Sequence, residues 1–181
     1  MAEDDRRNPL QWEGSYWNST PAWPREPDLA FIRLLAHRNL AEHVQMALKD
    51  AALTINFFAG GTFNKLYLVS HAGLNTSYIF RVSLPVCPYF TTESKAATLV
   101  HLRVNTSMPV PRVFAWDSSP DNEPGFEWIL MEKIAGVPLV DVWRNIEWER
   151  KLVLIESLAG LVNSSVTTNS TASEACTSNL C

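Results

Sequence analysis

The chain has 181 residues, a formal net charge of −4, and 46% hydrophobic against 19% charged side chains. That composition fits one globular domain and excludes a disordered or fibrous chain. The acidic balance argues against general affinity for nucleic acid or an anionic membrane. The uninterrupted apolar runs, such as Trp128–Met131 and Leu152–Ile155, are far shorter than the roughly 20 residues of a spanning helix.

The charged opening Met-Ala-Glu-Asp-Asp-Arg-Arg has no apolar segment behind it, so no signal peptide is expected and the reading is a soluble cytoplasmic protein. Cys87, Cys176 and Cys181 lack the spacing of a disulfide framework or a zinc site. The N-x-S/T triplets at Asn18, Asn75, Asn105, Asn163 and Asn169 read as chance in a Ser/Thr-rich chain without a secretory signal.

Residues 1–27 interleave Trp12, Trp17 and Trp23 with four prolines. This is too interrupted for a helix, and the tryptophans predict an arm that packs on the domain. Asp28 after Pro27 is a natural N-cap. Leu29, Ile32, Leu35 and Ala36 then recur at helical spacing, with a second helical stretch through Val44, Ala47 and Leu48, so that 28–50 forms a helical segment. Around residue 53 the pattern becomes β-like. Leu53–Phe58 and Lys65–Ser70 flank the glycine loop Ala59–Asn64 as a hairpin, and Ser77–Leu84 adds a third antiparallel strand. Thr91 or Thr92 is the expected cap of a helix with Ala96, Leu99, Val100 and Leu102 on one face. Strands Arg112–Trp116 and Glu127–Glu132 follow, and Leu139–Ile155 reads as helix. From Ser157 the chain holds ten Ser or Thr and a single charged residue, Glu174, which predicts a disordered tail over 157–181.

Strand, glycine loop, strand, strand, helix, strand, strand and hinge is the element order of a protein-kinase-like small lobe. The residues add to that order: Gly-Gly-Thr-Phe-Asn-Lys-Leu-Tyr (60–67), Phe-Arg-Val-Ser-Leu-Pro (80–85), Thr-Glu-Ser-Lys-Ala-Ala-Thr-Leu (92–99), Pro-Val-Pro-Arg-Val (109–113) and Trp-Ile-Leu-Met-Glu-Lys-Ile-Ala-Gly-Val-Pro-Leu (128–139). Together, over about residues 10–150, they resemble the aminoglycoside phosphotransferase family, in particular its fungal branch. The resemblance implies an α+β fold: a five-stranded antiparallel sheet with one main helix, N-terminal helices before it, and a short helix and disordered tail after it. The small lobe with its hinge would span 51–139, and 140–156 would begin a large lobe.

The same resemblance implies an ATP site. Gly60 and Gly61 would let backbone amides approach phosphate because no Cβ intervenes, while a hairpin that merely needs glycine for its turn is the competing explanation. Arg81 falls where kinase-like enzymes place the strand lysine that pairs phosphates, against a solvated strand arginine. Glu93 would pair with Arg81, against a glutamate favoured in a helix's first turn by the macrodipole alone. Lys65 would reach phosphate from the loop's exit, against an exposed hairpin lysine. The Glu132 carbonyl and Ile134 amide would meet adenine at the hinge, with Val69, Ile79 and Met131 lining its slot, although apolar strand residues are usually core.

Phosphoryl transfer in this fold needs a catalytic aspartate, an asparagine and a magnesium-binding aspartate after the hinge. Here the last histidine is His101 and the last aspartate Asp141, so no catalytic or metal residue is assigned and magnesium is not supported. Without a general base, worth about 10² to 10⁴ in rate, and without metal, the chain as written is expected to be inactive. A nucleotide is the implied partner, with a small hydroxylated acceptor only where a large lobe is present. The alternatives are a non-catalytic nucleotide- or protein-binding module, its protein partner meeting the apolar stripe near Trp143, and a nonfunctional truncated product.

Overall fold

A computed structural model describes residues 10–15, 17–44, 52–74, 76–119, 122 and 125–177, with side chains given as far as Asn163 except that of Val44. Ala47, Leu48 and Asn75 lie outside the described residues. The described residues up to Thr98 form one compact unit with Pro111–Lys133, and Leu99–Val110 forms another with the residues from Ile134 onward.

The first unit opens with a two-stranded ribbon, β1 (Trp12–Glu13) paired antiparallel with β2 (Thr20–Pro21). α1 (Leu29–Val44) starts where its sequence says it should, with the Ala30 amide donating to Asp28 Oδ1 at 2.8 Å. That bond satisfies one of the amides a helix leaves open at its first turn. The main sheet contains β3 (Leu53–Gly60), β4 (Asn64–His71), β5 (Ser77–Ser83), β6 (Val113–Asp117) and β7 (Glu127–Glu132), in the spatial order β3-β4-β5-β7-β6. Every pairing is antiparallel, with register shifts at Phe57/Ala59 and Val113/Ala115. The fold is therefore mixed α+β, a five-stranded antiparallel sheet flanked by helices.

Strand alternation divides the sheet into two faces. One carries Leu53, Tyr67, Val69, Tyr78, Phe80, Val82, Trp128 and Leu130, which form a buried cluster with Ile32, Leu35, Ala36 and Leu40 of α1. The spacing of those four α1 residues makes a single stripe. Phe80 and Trp128 stack with ring centroids 5.1 Å apart. The N-terminal arm reaches this side through Trp23, whose ring lies 5.6 Å from that of Phe126. The other two tryptophans of the arm lie at the surface, Trp17 90% exposed and Trp12 about half exposed.

α2 (Phe90–Asn105) begins ahead of the expected cap. Thr92 lies inside the helix, fully buried, with no hydrogen-bond partner for Oγ1. Tyr89 enters the helix at φ 69°, and its amide donates to the Glu127 carboxylate at 2.8 Å. A buried strand carboxylate thus takes the cap position, which suits the positive end of the helix dipole. The buried positions are Thr92 and Ala96, whereas Val100 is 41% exposed.

In the second unit the expected helix Leu139–Ile155 is broken. α3 (Leu139–Val142) passes into a 3-10 turn at Trp143–Asn145, Ile146 is extended at ψ 130°, and α4 runs Trp148–Thr177. Lys151 sits over the Trp143 ring at 5.2 Å. The expectation of a disordered tail from Ser157 is also corrected, since α4 continues through the Ser/Thr-rich run. The segment has no proline and only Gly160 to weaken a helix, and the Ser157 hydroxyl donates to the Val153 carbonyl at 2.7 Å, the helical back-bond open to serine.

Candidate functional site

The other face of the sheet carries the polar chemistry. Arg81 lies between Phe80 and Val82, both buried, so alternation turns it away from the α1 core. Its Nε and Nη2 donate to Asn64 Oδ1 at 3.0 and 2.7 Å, and the Ser83 hydroxyl donates to the same oxygen at 2.8 Å. Register explains the gathering: Asn64 pairs with Ser83 and Leu66 with Arg81 across β4 and β5. Burial lowers the Arg81 pKa from its ordinary value, which leaves it still charged at any working pH.

The expected Arg81–Glu93 ion pair is not formed. Glu93 Oε1 accepts instead from Trp116 Nε1 at 3.0 Å and Ser118 Oγ at 2.7 Å, tying α2 to the end of β6. The residue of α2 that senses Arg81 is Lys95. Burial lowers its pKa, Arg81 lowers it further, and Glu127 opposes both. Two residues along a helix turn the side chain by about 200°, so Glu93 and Lys95 cannot share a direction. Sequence reasoning passed over Lys95 because a helix lysine ordinarily reads as solvated surface.

Lys65 is also corrected. It stands on the α1 side of the sheet, opposite Arg81, where its ammonium donates to Glu26 at 2.5 and 2.6 Å and lies 4.5 Å from the centre of the Trp23 ring. Alternation decides this, because residues 64 and 65 must point to opposite faces. Val69, fully buried in the α1 core, likewise leaves the expected adenine slot. Ile79 and Met131 do share the Arg81 face, and Leu68 joins them opposite Ile79.

In the glycine loop, the Gly61 amide donates to the Asn64 carbonyl at 2.9 Å, and the Leu84 amide donates to the Phe63 carbonyl at 2.9 Å. Neither Gly60 nor Gly61 has a positive φ. A Cβ at Gly61 would meet nothing within 4 Å, while one at Gly60 would come 3.2 Å from the tip of Phe57. The turn itself therefore does not demand glycine at 61. At the far end of the sheet, the Glu132 amide donates to the Arg112 carbonyl at 2.8 Å and the Lys133 amide to the Ser77 carbonyl at 3.1 Å. The first unit ends at Lys133, and the exposed Ile134 belongs to the second.

Between the loop's exit and the first turns of α2 lies a cavity of about 220 Å³, lined by Phe63, Asn64, Ser83, Leu84, Thr91 and Lys95 among others. A larger hollow of about 660 Å³ along α1 is lined among the described residues by Leu29, Ala30, Arg33, Leu34 and His37, and brings no carboxylate with it. Among the described residues, no three His, Cys, Asp or Glu side chains come together as a metal site would require. No described helix is long and apolar enough to cross a membrane.

No family model matches the chain, and no solved structure does. Two curated relatives do: subtelomeric hrmA-associated cluster proteins of Aspergillus fumigatus, one from strain CBS 144.89 / FGSC A1163 / CEA10 and one from strain ATCC MYA-4609 / CBS 101355 / FGSC A1100 / Af293. Each is 36% identical over 100 residues, 54% of this chain and 19% of the relative. The matched stretch is thus about a fifth of the length of the curated relatives.

Proposed function

We propose that the chain is an aminoglycoside phosphotransferase-like small lobe that holds a nucleotide against the Arg81 face of its sheet. The observation that carries this reading is the division of β5: Phe80 and Val82 build the core, while Arg81, half-buried and held by Asn64, presents a charge beside a glycine loop. Gly61 supports it, because glycine there serves neither the backbone angle nor packing, which leaves close approach of a ligand as its use. Phosphate would meet Arg81, and the adenine edge would lie along Ile79 and Met131 toward the Glu132 carbonyl.

Phosphoryl transfer to a small hydroxylated molecule is the activity this family implies. It requires an aspartate base and metal ligands beyond Asp141, which this sequence does not contain. Nucleotide binding is the part of that activity proposed for the residues present here.

Calorimetric titration of the full chain with ATP, with and without magnesium, tests it. Binding that is indifferent to magnesium and at least about tenfold weaker in Arg81→Ala supports the reading, as expected for loss of a charged phosphate contact. A folded chain that ignores ATP, or binds it equally well without Arg81, overturns it.

A further inference from the structure

The cavity beside α2 contains more hydrogen-bond donors than the protein uses. Arginine has donors only, so the two bonds from Arg81 fix which end of the Asn64 amide faces it: the oxygen, which also takes the Ser83 proton. The two N–H groups of Asn64 are left without an acceptor among the described residues, on a residue that lines the cavity. Lys95, which also lines the cavity, makes no hydrogen bond or ion pair among the described residues. Thr91 adds a hydroxyl free to rotate toward either role.

The charges point the same way. Lys95 senses one cation, Arg81, and one carboxylate, Glu127, and one oxygen of that carboxylate is already engaged by the Tyr89 amide. Lys95 is held below its ordinary pKa by burial and by Arg81, so a negative charge beside it would relieve a repulsion the fold otherwise retains. The volume, about 220 Å³, falls below the roughly 300 to 1,000 Å³ of sites that enclose a drug-sized molecule. It suits a single compact anion.

We propose that this cavity is an oxyanion site of phosphate type, in which the Lys95 ammonium and the Asn64 amide N–H groups grip the ligand while Arg81 orients Asn64. The site goes beyond the nucleotide reading, because it needs neither the adenine slot nor the glycine-loop amides. The anion could be free phosphate or pyrophosphate, or the phosphate chain of a nucleotide; all share the chemistry that the donors recognise.

The test is calorimetric titration of the full chain with inorganic pyrophosphate, with ATP and with adenosine. Pyrophosphate should bind, and its affinity should fall about tenfold in Lys95→Gln and further in Lys95→Glu. Asn64→Asp guards against misfolding, since its carboxylate keeps a partner for Arg81 while removing both N–H donors; it too should weaken pyrophosphate. Absence of pyrophosphate binding at millimolar concentration, or equal affinity in wild type, Lys95→Gln and Asn64→Asp, overturns the inference whatever ATP does. Pyrophosphate binding that depends on Lys95, with ATP no tighter and adenosine inert, establishes the site for free anions and defeats the nucleotide reading instead. ATP binding tighter than pyrophosphate, and weakened by the same substitutions, assigns the site to nucleotide phosphates.

Discussion

The two faces of the sheet are built from the same strands and behave as different materials. Toward α1, Tyr67, Val69, Phe80, Val82, Trp128 and Leu130 are almost wholly removed from water, and their role is to pack. Toward α2, Arg81 and Ser83 both donate to Asn64, and Glu127 accepts from the Tyr89 amide. Among the described residues, buried side-chain atoms without a partner occur on both faces, His71 Nε2 and Trp128 Nε1 toward α1 and Thr92 Oγ1 and Glu127 Oε2 toward α2. An unsatisfied buried polar atom costs about 1–3 kcal/mol. The comparison teaches that one face holds the fold while the other carries donors, those of Asn64 and Lys95, that line a cavity.

The sharpest way to break that comparison is Phe80→Ala. It should cost about 3–5 kcal/mol through lost burial and a cavity beside Trp128, measured by urea unfolding, and a loss under 1 kcal/mol would mean that the α1 face is not the core. Arg81→Ala should cost less, about 1–2 kcal/mol for the bonds it abandons, while affecting ATP affinity most. Lys65→Ala divides the faces most directly. Removing its ion pair with the exposed Glu26 and its cation–π contact should lower stability by about 1 kcal/mol and leave ATP binding untouched; weakened binding would place Lys65 back at the ligand.

Alkaline titration sharpens the comparison further, because the two faces carry opposite signs. Burial, and then Glu26, raise the Tyr67 pKa. Its neutral form is favoured in the fold, so its contribution is complete below the ordinary tyrosine value and is lost as pH climbs through the folded one. Lys95 is lowered: its charged form is disfavoured in the fold, and stability is regained as pH rises through its folded value toward the ordinary lysine value. Melting curves against pH should lose their alkaline decline in Tyr67→Phe and steepen it in Lys95→Gln. The smallest effect belongs to Gly61→Ala, which should raise stability by about 0.4–1 kcal/mol through the unfolded chain while weakening ATP. A stability loss there would return glycine to the service of the turn.

The strands were largely legible in the sequence because period-two alternation and turn residues are local signals, and β3, β4, β5, β6 and β7 begin or end within two residues of where those signals place them. The Asp28 cap was legible for the same reason. The candidate site was legible only in part. Arg81 stands out as a charge between two core residues, yet its partner could not be read. Asn64 is 17 positions away, and Lys95 depends on the phase of a helix whose start, at Phe90 and not at a threonine, is set by Glu127 from 38 residues further on.

By itself the sequence determined the α+β class, the order of strands around one main helix, and which residues could form a core, because each rests on contacts within a few residues. Only the tertiary structure decided which face each side chain serves. Lys65 turned to Glu26 and Trp23, Glu93 turned to Trp116 and Ser118, and Lys95 came to face Arg81. The physical reason is that facing is set by strand register and helix phase together, and both are fixed by packing between segments far apart in the chain.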